Sequence, residues 1–428
     1  MIVLRFLLGI AFLFPAMSYA QQTLDYYIQT AKSNSPLIKD NQFQSEAARL
    51  ELERLKSVYT KPQVGIVANY LMAPVVANNN GKTSLQLSPG NADSYYGQDA
   101  GLTNGGLYQG LVQVNQPLFM KSRFSAIADE AGIGIKINQN NIRLTNFELE
   151  KIITDQYILC LQDMHQIDFL TKYINILKDQ KELTTKLVNS SVIKLSDLSL
   201  LDIELQTQLI AQQTMQASYS KNILDMNVLA GIPDSNSSKK ITPLDLFLNN
   251  DNTESSFTEK YNLDSSRLVA QQKIFELKYK PQWNLFANGG FNTTDASLIY
   301  RRIGISAGVS FTMTLFDGRQ KAINRTRTNF LLQTTQAYKE NFLNQNSVRK
   351  NNFLQQINAI EERIRLTETQ VKEYDKLLGY YKQELIRGQI SVINYVNTIK
   401  NAIGLEKDFI TMQTNRQLLI NAYNYWNK

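Results

Sequence analysis

Hydrophobic and polar residues alternate without interruption over the thirteen positions from Ile303 to Leu315. Side chains of a β-strand point to opposite faces at each step, so this segment predicts one apolar face and one face of glycine, serine and threonine. It is longer than the ~5–6 residues of an ordinary strand and suits the ~9–11 residues of a tilted strand in a bilayer. The pattern therefore predicts a membrane strand with lipid on one side and water on the other.

Three other segments show the same alternation less completely. Their apolar positions are Val64, Ile66 and Ala68 in the first, Val112 and Val114 in the second, and Trp283, Leu285, Ala287 and Phe291 in the third. Pro62 and Pro281 stand where a helical pattern changes to a strand, because proline does not continue a helix. Phe119 and Phe316 stand where strand changes back to helix. We predict these four residues as strand-helix junctions, with Tyr108 and Trp283 at the membrane interfaces.

Two very long helices are predicted after the strands, from about Met120 to Asn189 and from about Asp317 to Arg387. At ~1.5 Å per residue each would be on the order of 100 Å long. Coiled-coil seams with 3-4 spacing run along both, at Ile167, Leu170, Ile174 and Leu177, and at Ile357, Ile360, Ile364, Thr367, Val371, Tyr374, Leu378, Tyr381 and Leu385. The chain is expected to turn back at Ser191 and at Gly388 into returning helices.

Landmarks recur 197 positions apart: Leu118-Phe119 matches Leu315-Phe316, Ser191 matches Gly388, and Gly231 matches Lys428. The spacing predicts two copies of a helix-strand-strand-helix-helix unit. We divide the chain into a signal peptide at 1–20, a first repeat at 21–233, a polar connector at 234–262 and a second repeat at 263–428. Each repeat ends in a long helical hairpin.

The first twenty residues have the organisation of a secretory signal: a positive Arg5, an apolar core and a small-residue cleavage site at Ser18-Tyr19-Ala20. Removing Arg5 lowers the net charge from +7 to +6, without a block of lysine or arginine, so nucleic acid is not expected as a partner. The single cysteine, Cys160, excludes an intrachain disulfide. Export combined with membrane strands predicts a bacterial outer membrane.

Four strands are too few for a membrane barrel. Backbone groups in lipid must all be paired, and single-chain barrels begin at about eight strands. Several copies must therefore share one barrel. Two, three or four chains would supply eight, twelve or sixteen strands, and the strand count alone does not choose among them.

Short motifs in a fixed order add a resemblance. The duplicated unit, Asn34-Ser35-Pro36, Gln116-Pro117-Leu118-Phe119, Thr314-Leu315-Phe316-Asp317-Gly318 and Arg387-Gly388-Gln389-Ile390-Ser391 resemble TolC-type outer-membrane efflux proteins over the whole mature chain. The resemblance implies an α+β membrane protein: a homotrimer with a twelve-stranded β-barrel and a long periplasmic α-helical coiled-coil barrel. It implies the exit duct of a tripartite efflux or type I secretion system, a passive conduit driven by an inner-membrane transporter and docked to a periplasmic adaptor (membrane fusion) protein.

By the same resemblance, the hairpin tips are the docking surface for the adaptor: Ser191, Val192, Ile193, Arg387, Gly388, Gln389, Ile390 and Ser391. Family members narrow the channel with two aspartates three residues apart, whereas this chain has Asn394 and Asn397 at the matching positions. Asp197 occupies the equivalent position in the first repeat. These three residues are candidates for a periplasmic constriction. A solvated helix start, where asparagine is common, is the alternative for the two asparagines.

Other chemistry is weakly represented. Gly304-Ile305-Ser306-Ala307-Gly308 matches the G-x-S-x-G of serine hydrolases, but Ser306 falls within a predicted strand and the only histidine, His165, within a helix. His165 and Cys160 are two ligands, too few for a metal site. We predict no enzyme activity and no catalytic, cofactor or metal site. The runner-up function is a periplasmic coiled-coil adaptor or scaffold without a pore.

The segment from about Ala73 to Gly106 is predicted as a long extracellular loop, against a short one around Asn292 to Arg302. Two interpretations stay open for the long loop: it caps the barrel mouth, or it is disordered.

Overall fold

The computed structural model describes residues 23–237, 240–249 and 255–428, so the predicted signal peptide lies outside the described residues. The helices are α1 (Leu24–Asn34), α2 (Pro36–Thr60), α3 (Lys121–Asn189), α4 (Leu195–Leu229), α5 (Ser256–Glu276), α6 (Gln320–Ile386) and α7 (Val392–Trp426). The strands are β1 (Gln63–Met72), β2 (Val75–Asn79), β3 (Lys82–Gln86), β4 (Ser94–Tyr96), β5 (Gly106–Leu118), β6 (Gln282–Thr293) and β7 (Ile303–Thr312). Short 3-10 helices occupy Leu277–Tyr279 and Ala296–Arg301.

Within these described ranges, none of the helices combines the length and the apolar character needed to cross a membrane.

The chain folds into two compact units, and each takes segments from both halves of the sequence. The helical unit consists of the described residues that fall within Met1–Lys39, Ile142–Phe257 and Phe342–Lys428. The strand unit consists of Asp40–Asn141 and Thr258–Asn341. The long helices α3 and α6 contribute residues to both units.

Two antiparallel sheets form the β-structure of the strand unit. The larger sheet has the order β1-β5-β6-β7, so β1 and β7 are its edges. The smaller sheet has the order β3-β2-β4 and lies entirely within the predicted loop from 73 to 106. Sequence analysis missed these strands because each has only three to five residues, too short for an alternating pattern to stand out from a loop.

Three element boundaries differ from the predicted ones. α5 begins at Ser256, inside the connector predicted at 234–262. The sequence predicts one helical stretch from about Leu24 to Val58, but the helix is interrupted at Ser35, where Pro36 begins α2 in the position at which a missing N–H costs least. β7 ends at Thr312 instead of Leu315, because its last partner is Gln282, the first residue of β6 after Pro281. The residues beyond Thr312 have no neighbouring strand on that side.

Buried seams hold the helical unit together as the 3-4 spacing predicted. One hydrophobic cluster joins α3, α4, α6 and α7 through fully or nearly fully buried residues, among them Leu177, Leu201, Leu385 and Ile399. A second cluster surrounds Cys160 and includes Tyr27, Tyr157, Ile223 and Ile241. Burial raises the pKa of the Cys160 thiol to about 12, so this cysteine packs as an apolar group.

Candidate functional site: sheet faces and helical tips

The register of the larger sheet sorts its residues onto two chemically different faces, because directly paired residues point the same way. The apolar face carries Val64, Ile66, Ala68, Tyr70 and Met72; Tyr108, Val112, Val114 and Leu118; Trp283, Leu285, Ala287 and Phe291; and Ile303, Ile305, Ala307, Val309 and Phe311. Ile66 and Ile305 are 81% and 94% exposed. Nothing within the chain covers them among the described residues, so this face requires an apolar environment from outside.

Aromatic pairs mark the two ends of the apolar face. Tyr70 and Tyr108 are direct partners with ring centroids 5.0 Å apart, and Trp283 and Phe311 at the other end are 4.7 Å apart. Along β5 the two pairs are separated by the ten steps from Tyr108 to Leu118, the partner of Trp283. Ten steps of ~3.3 Å make ~33 Å, and a strand tilt of about 40° reduces this to ~25 Å. That height equals the apolar band between the aromatic girdles of membrane barrels.

The opposite face carries no charged side chain and is mixed in character: amide and hydroxyl groups share it with the apolar residues Val67, Leu71, Leu107, Leu111 and Phe286. Its amide side chains are Gln63, Asn69, Gln109, Gln113, Asn115, Gln282, Asn284, Asn288 and Asn292, and its hydroxyl groups are Ser306, Ser310 and Thr312. The four strands contain no aspartate, glutamate, lysine or arginine. Asn69 donates a hydrogen bond of 2.8 Å to Gln109 across neighbouring strands. This face can therefore meet water through dipoles and not through full charges.

Ser306 lies in the interior of β7, paired with Asn288 of β6. The sharp turn from strand to helix that exposes a hydrolase nucleophile is not formed there, because the backbone around Ser306 is regular strand. His165 is exposed on α3. Among the described residues, no group of three potential metal ligands is found.

Junctions between strands and helices lie where Pro62, Phe119, Pro281 and Phe316 stand in the sequence. The junction before α6 shows why an Asp-Gly pair follows the last strand. The carboxylate of Asp317 accepts hydrogen bonds from the backbone N–H groups of Arg319 (2.9 Å) and Lys321 (2.8 Å), which lowers its pKa. Gly318 provides the left-handed turn at φ 62°.

An ion pair joins α5 to α6 a short distance beyond this junction. Both carboxylate oxygens of Glu276 accept hydrogen bonds from Arg325, at 2.5 and 2.8 Å. Gln272 donates a further hydrogen bond of 2.8 Å to Glu276. These contacts, led by the one with Arg325, lower the pKa of Glu276 to about 2. The Glu276–Arg325 pair thus connects α5, the helix before β6, with α6, the helix after β7.

The two hairpin tips have the same backbone geometry. Ser191 and Gly388, 197 positions apart, both adopt the left-handed conformation, with φ of 59° and 70°. The N–H groups of the next residues, Val192 and Gln389, donate 2.9 Å hydrogen bonds back to the carbonyls of Leu187 and Glu384. This closure of a helix end by a left-handed residue produces both tips, and glycine adopts it at the lower cost.

The predicted constriction residues lie at the starts of the returning helices. Asn394 and Asn397 are exposed on α7, and Asp197 is half-buried on α4. The N–H of Asn394 donates a hydrogen bond of 3.4 Å to the side chain of Ser391, the residue that caps α7. Of the remaining tip residues, Val192 is 63% exposed, and Ile193 and Ile390 are half-buried against the first cluster.

A buried charge behind the tips was missed by the sequence analysis. Glu204 is 3% exposed and lies on the apolar face of α4 beside Leu205. Its carboxylate is 3.2 Å from the ammonium group of Lys400 on α7 and accepts a hydrogen bond of 2.7 Å from Gln208. In the sequence, the sign of this buried pair is a charged residue within an apolar seam, because burial of a charge is costly unless an oppositely charged partner is present.

Solved structures with the same architecture identify the fold. The outer membrane channel CmeC of Campylobacter jejuni matches 96% of this chain and 86% of its own, with a TM-score of 0.67 at 13% identity. The outer membrane protein VceC of Vibrio cholerae matches 94% of this chain and 95% of its own, with a TM-score of 0.69 at 13% identity. The MtrE outer membrane channel of Neisseria gonorrhoeae matches 94% and 88%, with a TM-score of 0.64 at 11% identity.

This chain has the TolC-type channel fold. No protein family and no curated protein matches its sequence, so the likeness lies in the three-dimensional structure. The resemblance drawn from the short motifs is thereby confirmed at the level of the fold.

Proposed function

We propose that this protein is the outer-membrane exit duct of a tripartite efflux or type I secretion system. Three copies would form a twelve-stranded barrel in the outer membrane and extend a helical tunnel into the periplasm. Transport through such a duct is passive, and the energy comes from an inner-membrane transporter that acts through a periplasmic adaptor.

The observation that carries this proposal is the larger sheet. One of its faces is apolar over ~25 Å between aromatic pairs, and the other carries uncharged amides and hydroxyl groups among a few apolar residues. Among the described residues, neither edge of the sheet has a neighbouring strand. Backbone groups at a sheet edge in lipid must be paired, which requires further strands from other copies. Joining β7 of one copy to β1 of the next continues the antiparallel pattern around a ring. The TolC-type fold supports three copies.

Exposed apolar residues at the hairpin tips support docking to the adaptor. Val192 and Leu195 are 63% and 68% exposed at the first tip, and Ile386 and Ile393 are each 50% exposed at the second. Apolar side chains clustered at a helix tip favour contact with another protein. The adaptor is expected to cover these residues together with Arg387 and Gln389.

A pore-free coiled-coil adaptor or scaffold would account for the long hairpins of α3–α4 and α6–α7 alone. It would not account for the larger sheet, because a strongly exposed apolar face is a liability for a protein surrounded by water. The sheet therefore favours the duct.

The number of copies and the conductance test the proposal. Protein extracted from outer membranes in detergent is expected to have the mass of three chains by light scattering. Added to a planar bilayer, it is expected to produce discrete conductance steps that a heat-denatured sample does not produce. A water-soluble monomer without conductance would overturn the proposal.

We further propose that Asn394, Asn397 and Asp197 line the periplasmic constriction. Amides bind cations only through dipoles, so we expect weak block of the wild-type current by Mg²⁺. Asn394→Asp adds one carboxylate per chain and is expected to strengthen the block about tenfold, equivalent to ~1.4 kcal/mol. The measurement is single-channel current against Mg²⁺ concentration. Asn401→Asp, two turns further along the exposed face of α7, is the matched control; equal block in both variants would refute the constriction.

A further inference from the structure

The smaller sheet gives the outer end of the strand unit a structure of its own. Val75 and Ala77 are buried on one face of β2, and the hydroxyl of Tyr95 accepts a hydrogen bond of 3.0 Å from the N–H of Ala100. The carboxylate of Asp93 accepts a hydrogen bond of 2.8 Å from the N–H of Asn80. Together with the strand pairing, these contacts give residues 73–105 a folded structure in place of the predicted loop, and we refer to this segment as the platform.

An apolar stripe crosses the other face of this sheet. Val76 is the direct partner of Leu85 on one side and of Tyr96 on the other. Val76 is 39% exposed, and Leu85 and Tyr96 are each 74% exposed. Cross-strand partners have Cβ atoms ~5 Å apart, so the three side chains form a continuous row. We refer to these three residues as the outer stripe.

The platform is connected to β1, an edge strand of the larger sheet. Ala73 donates a backbone hydrogen bond of 3.0 Å to Gly105, which extends the pairing of β1 with β5 outward to the platform. In the ring of the proposed function, the free side of β1 receives β7 of the next copy. The element that precedes β7 is the short loop from Asp295 to Arg302, which therefore reaches the outer rim beside the platform of its neighbour.

The loop Asp295–Arg302 presents exposed aromatic and basic side chains that suit contact with the outer stripe. Its 3-10 helix, Ala296–Arg301, contains no buried residue. Tyr300 is 67% exposed, and the guanidinium of Arg301 lies over its ring at 5.2 Å from the centroid. Leu298 and Ile299 are half-buried, whereas Tyr300, Arg301 and Arg302 at the end of the loop are exposed.

Charge favours the same pairing. The platform carries two aspartates, Asp93 and Asp99, against one lysine, Lys82. The two carboxylates accept hydrogen bonds of 2.8 Å from the backbone N–H groups of Asn80 and Gly101, which leaves their negative charge in place. The loop carries Arg301 and Arg302, while its single acid, Asp295, accepts hydrogen bonds of 2.8 and 2.7 Å from Ser297 within the loop. The platform therefore has a net negative charge and the loop a net positive charge, and this complementarity favours contact between them.

We propose that the outer stripe binds the loop Asp295–Arg302 of the adjacent copy, so that each chain clamps the next around the extracellular rim. The proposal rests on the ring of the proposed function. The contact is with a second copy of this chain: the apolar row meets Tyr300, and the platform aspartates lie near the two arginines. A lipid surface is a poorer occupant, because anionic headgroups would meet the acidic platform.

Cysteine pairs test the clamp in the assembled protein. With Cys160→Ala as the background, Tyr96→Cys/Tyr300→Cys is treated with a short bis-maleimide in outer membranes and run on a denaturing gel. Most of the protein is expected to become covalent dimer and trimer, because each chain then carries both halves of the contact. Leu85→Cys/Tyr300→Cys is expected to behave in the same way.

Ser84→Cys/Tyr300→Cys is the matched control, since Ser84 points to the opposite face of β3. Covalent dimers formed by the single variant Tyr96→Cys would show that the outer stripes of two copies contact one another over the channel mouth. This result would overturn the proposed contact between the outer stripe and the loop. Absence of cross-links in the double variants, in protein that keeps three chains and normal conductance, would also overturn it. Loss of the oligomer in unmodified protein would instead refute the ring, so the two failures are distinguishable.

Discussion

Replacing Gly290 with alanine is expected to destabilise the larger sheet by about 2–6 kcal/mol per chain, combining backbone strain and overpacking. Gly290 has a φ of 152°, and a Cβ atom there would lie 2.1 Å from the carbonyl oxygen of Gly110 and 2.9 Å from the Cα of Leu111. Both atoms belong to the backbone of β5, so no side-chain rotation relieves the contact. The measurement is the fraction of chain that remains oligomeric on a denaturing gel without heating.

Gly289→Ala adds the same methyl group one residue earlier. Its Cβ would meet only the side chain of Ile305, at an ordinary 3.7 Å. This variant is expected to assemble like the wild type. If both alanine variants assembled equally well, the close approach of β5 and β6 at Gly290 would be wrong.

A lysine introduced at Ile305 is expected to abolish most of the membrane assembly. Ile305 lies on the apolar face near the middle of the ~25 Å band, where a lysine facing lipid costs about 2–4 kcal/mol per chain. Its neighbour Ser306 points to the amide face, so Ser306→Lys is expected to leave assembly intact. That lysine enters a wall without charges and should shift the reversal potential in a salt gradient towards anion selectivity.

The two lysine variants carry the same added charge at neighbouring positions, so their net charges are identical. Oligomer yield and reversal potential are measured for both. Equal loss of assembly would mean that both faces of β7 are packed against protein. Equal tolerance would mean that the apolar face does not contact lipid.

The uncharged interior bears on how a duct of this kind treats its cargo. In the proposed duct, nine amides and three hydroxyl groups per chain would hydrate a passing molecule without attracting either sign of charge. Selection by charge is therefore expected at the helical tips and the partner proteins. The substitution Asn394→Asp tests the tip for this property directly.

Local pattern alone determined much of this structure. The alternation around Ile305 identified both faces of β7, the 3-4 spacing identified the seam of α6 that buries Ile357, Leu378 and Leu385, and proline identified the starts of β1 and β6. The periodicity of side chains and the backbone constraint of proline act over a few residues. Strands, helices and their ends can therefore be predicted from the sequence before the fold is known. The 197-residue offset likewise anticipated the matching left-handed turns at Ser191 and Gly388.

Long-range pairing was decided only by the tertiary structure. The smaller sheet brings Val76 beside Tyr96, twenty positions away, and the Glu204–Lys400 pair joins helices from different halves of the chain. Glu204 was not singled out from the sequence, and nothing in the sequence indicates that Lys400 is its partner. Such contacts depend on which segments meet after folding, and that choice is made by packing across the whole chain, whereas strand and helix periods are set by neighbours in sequence.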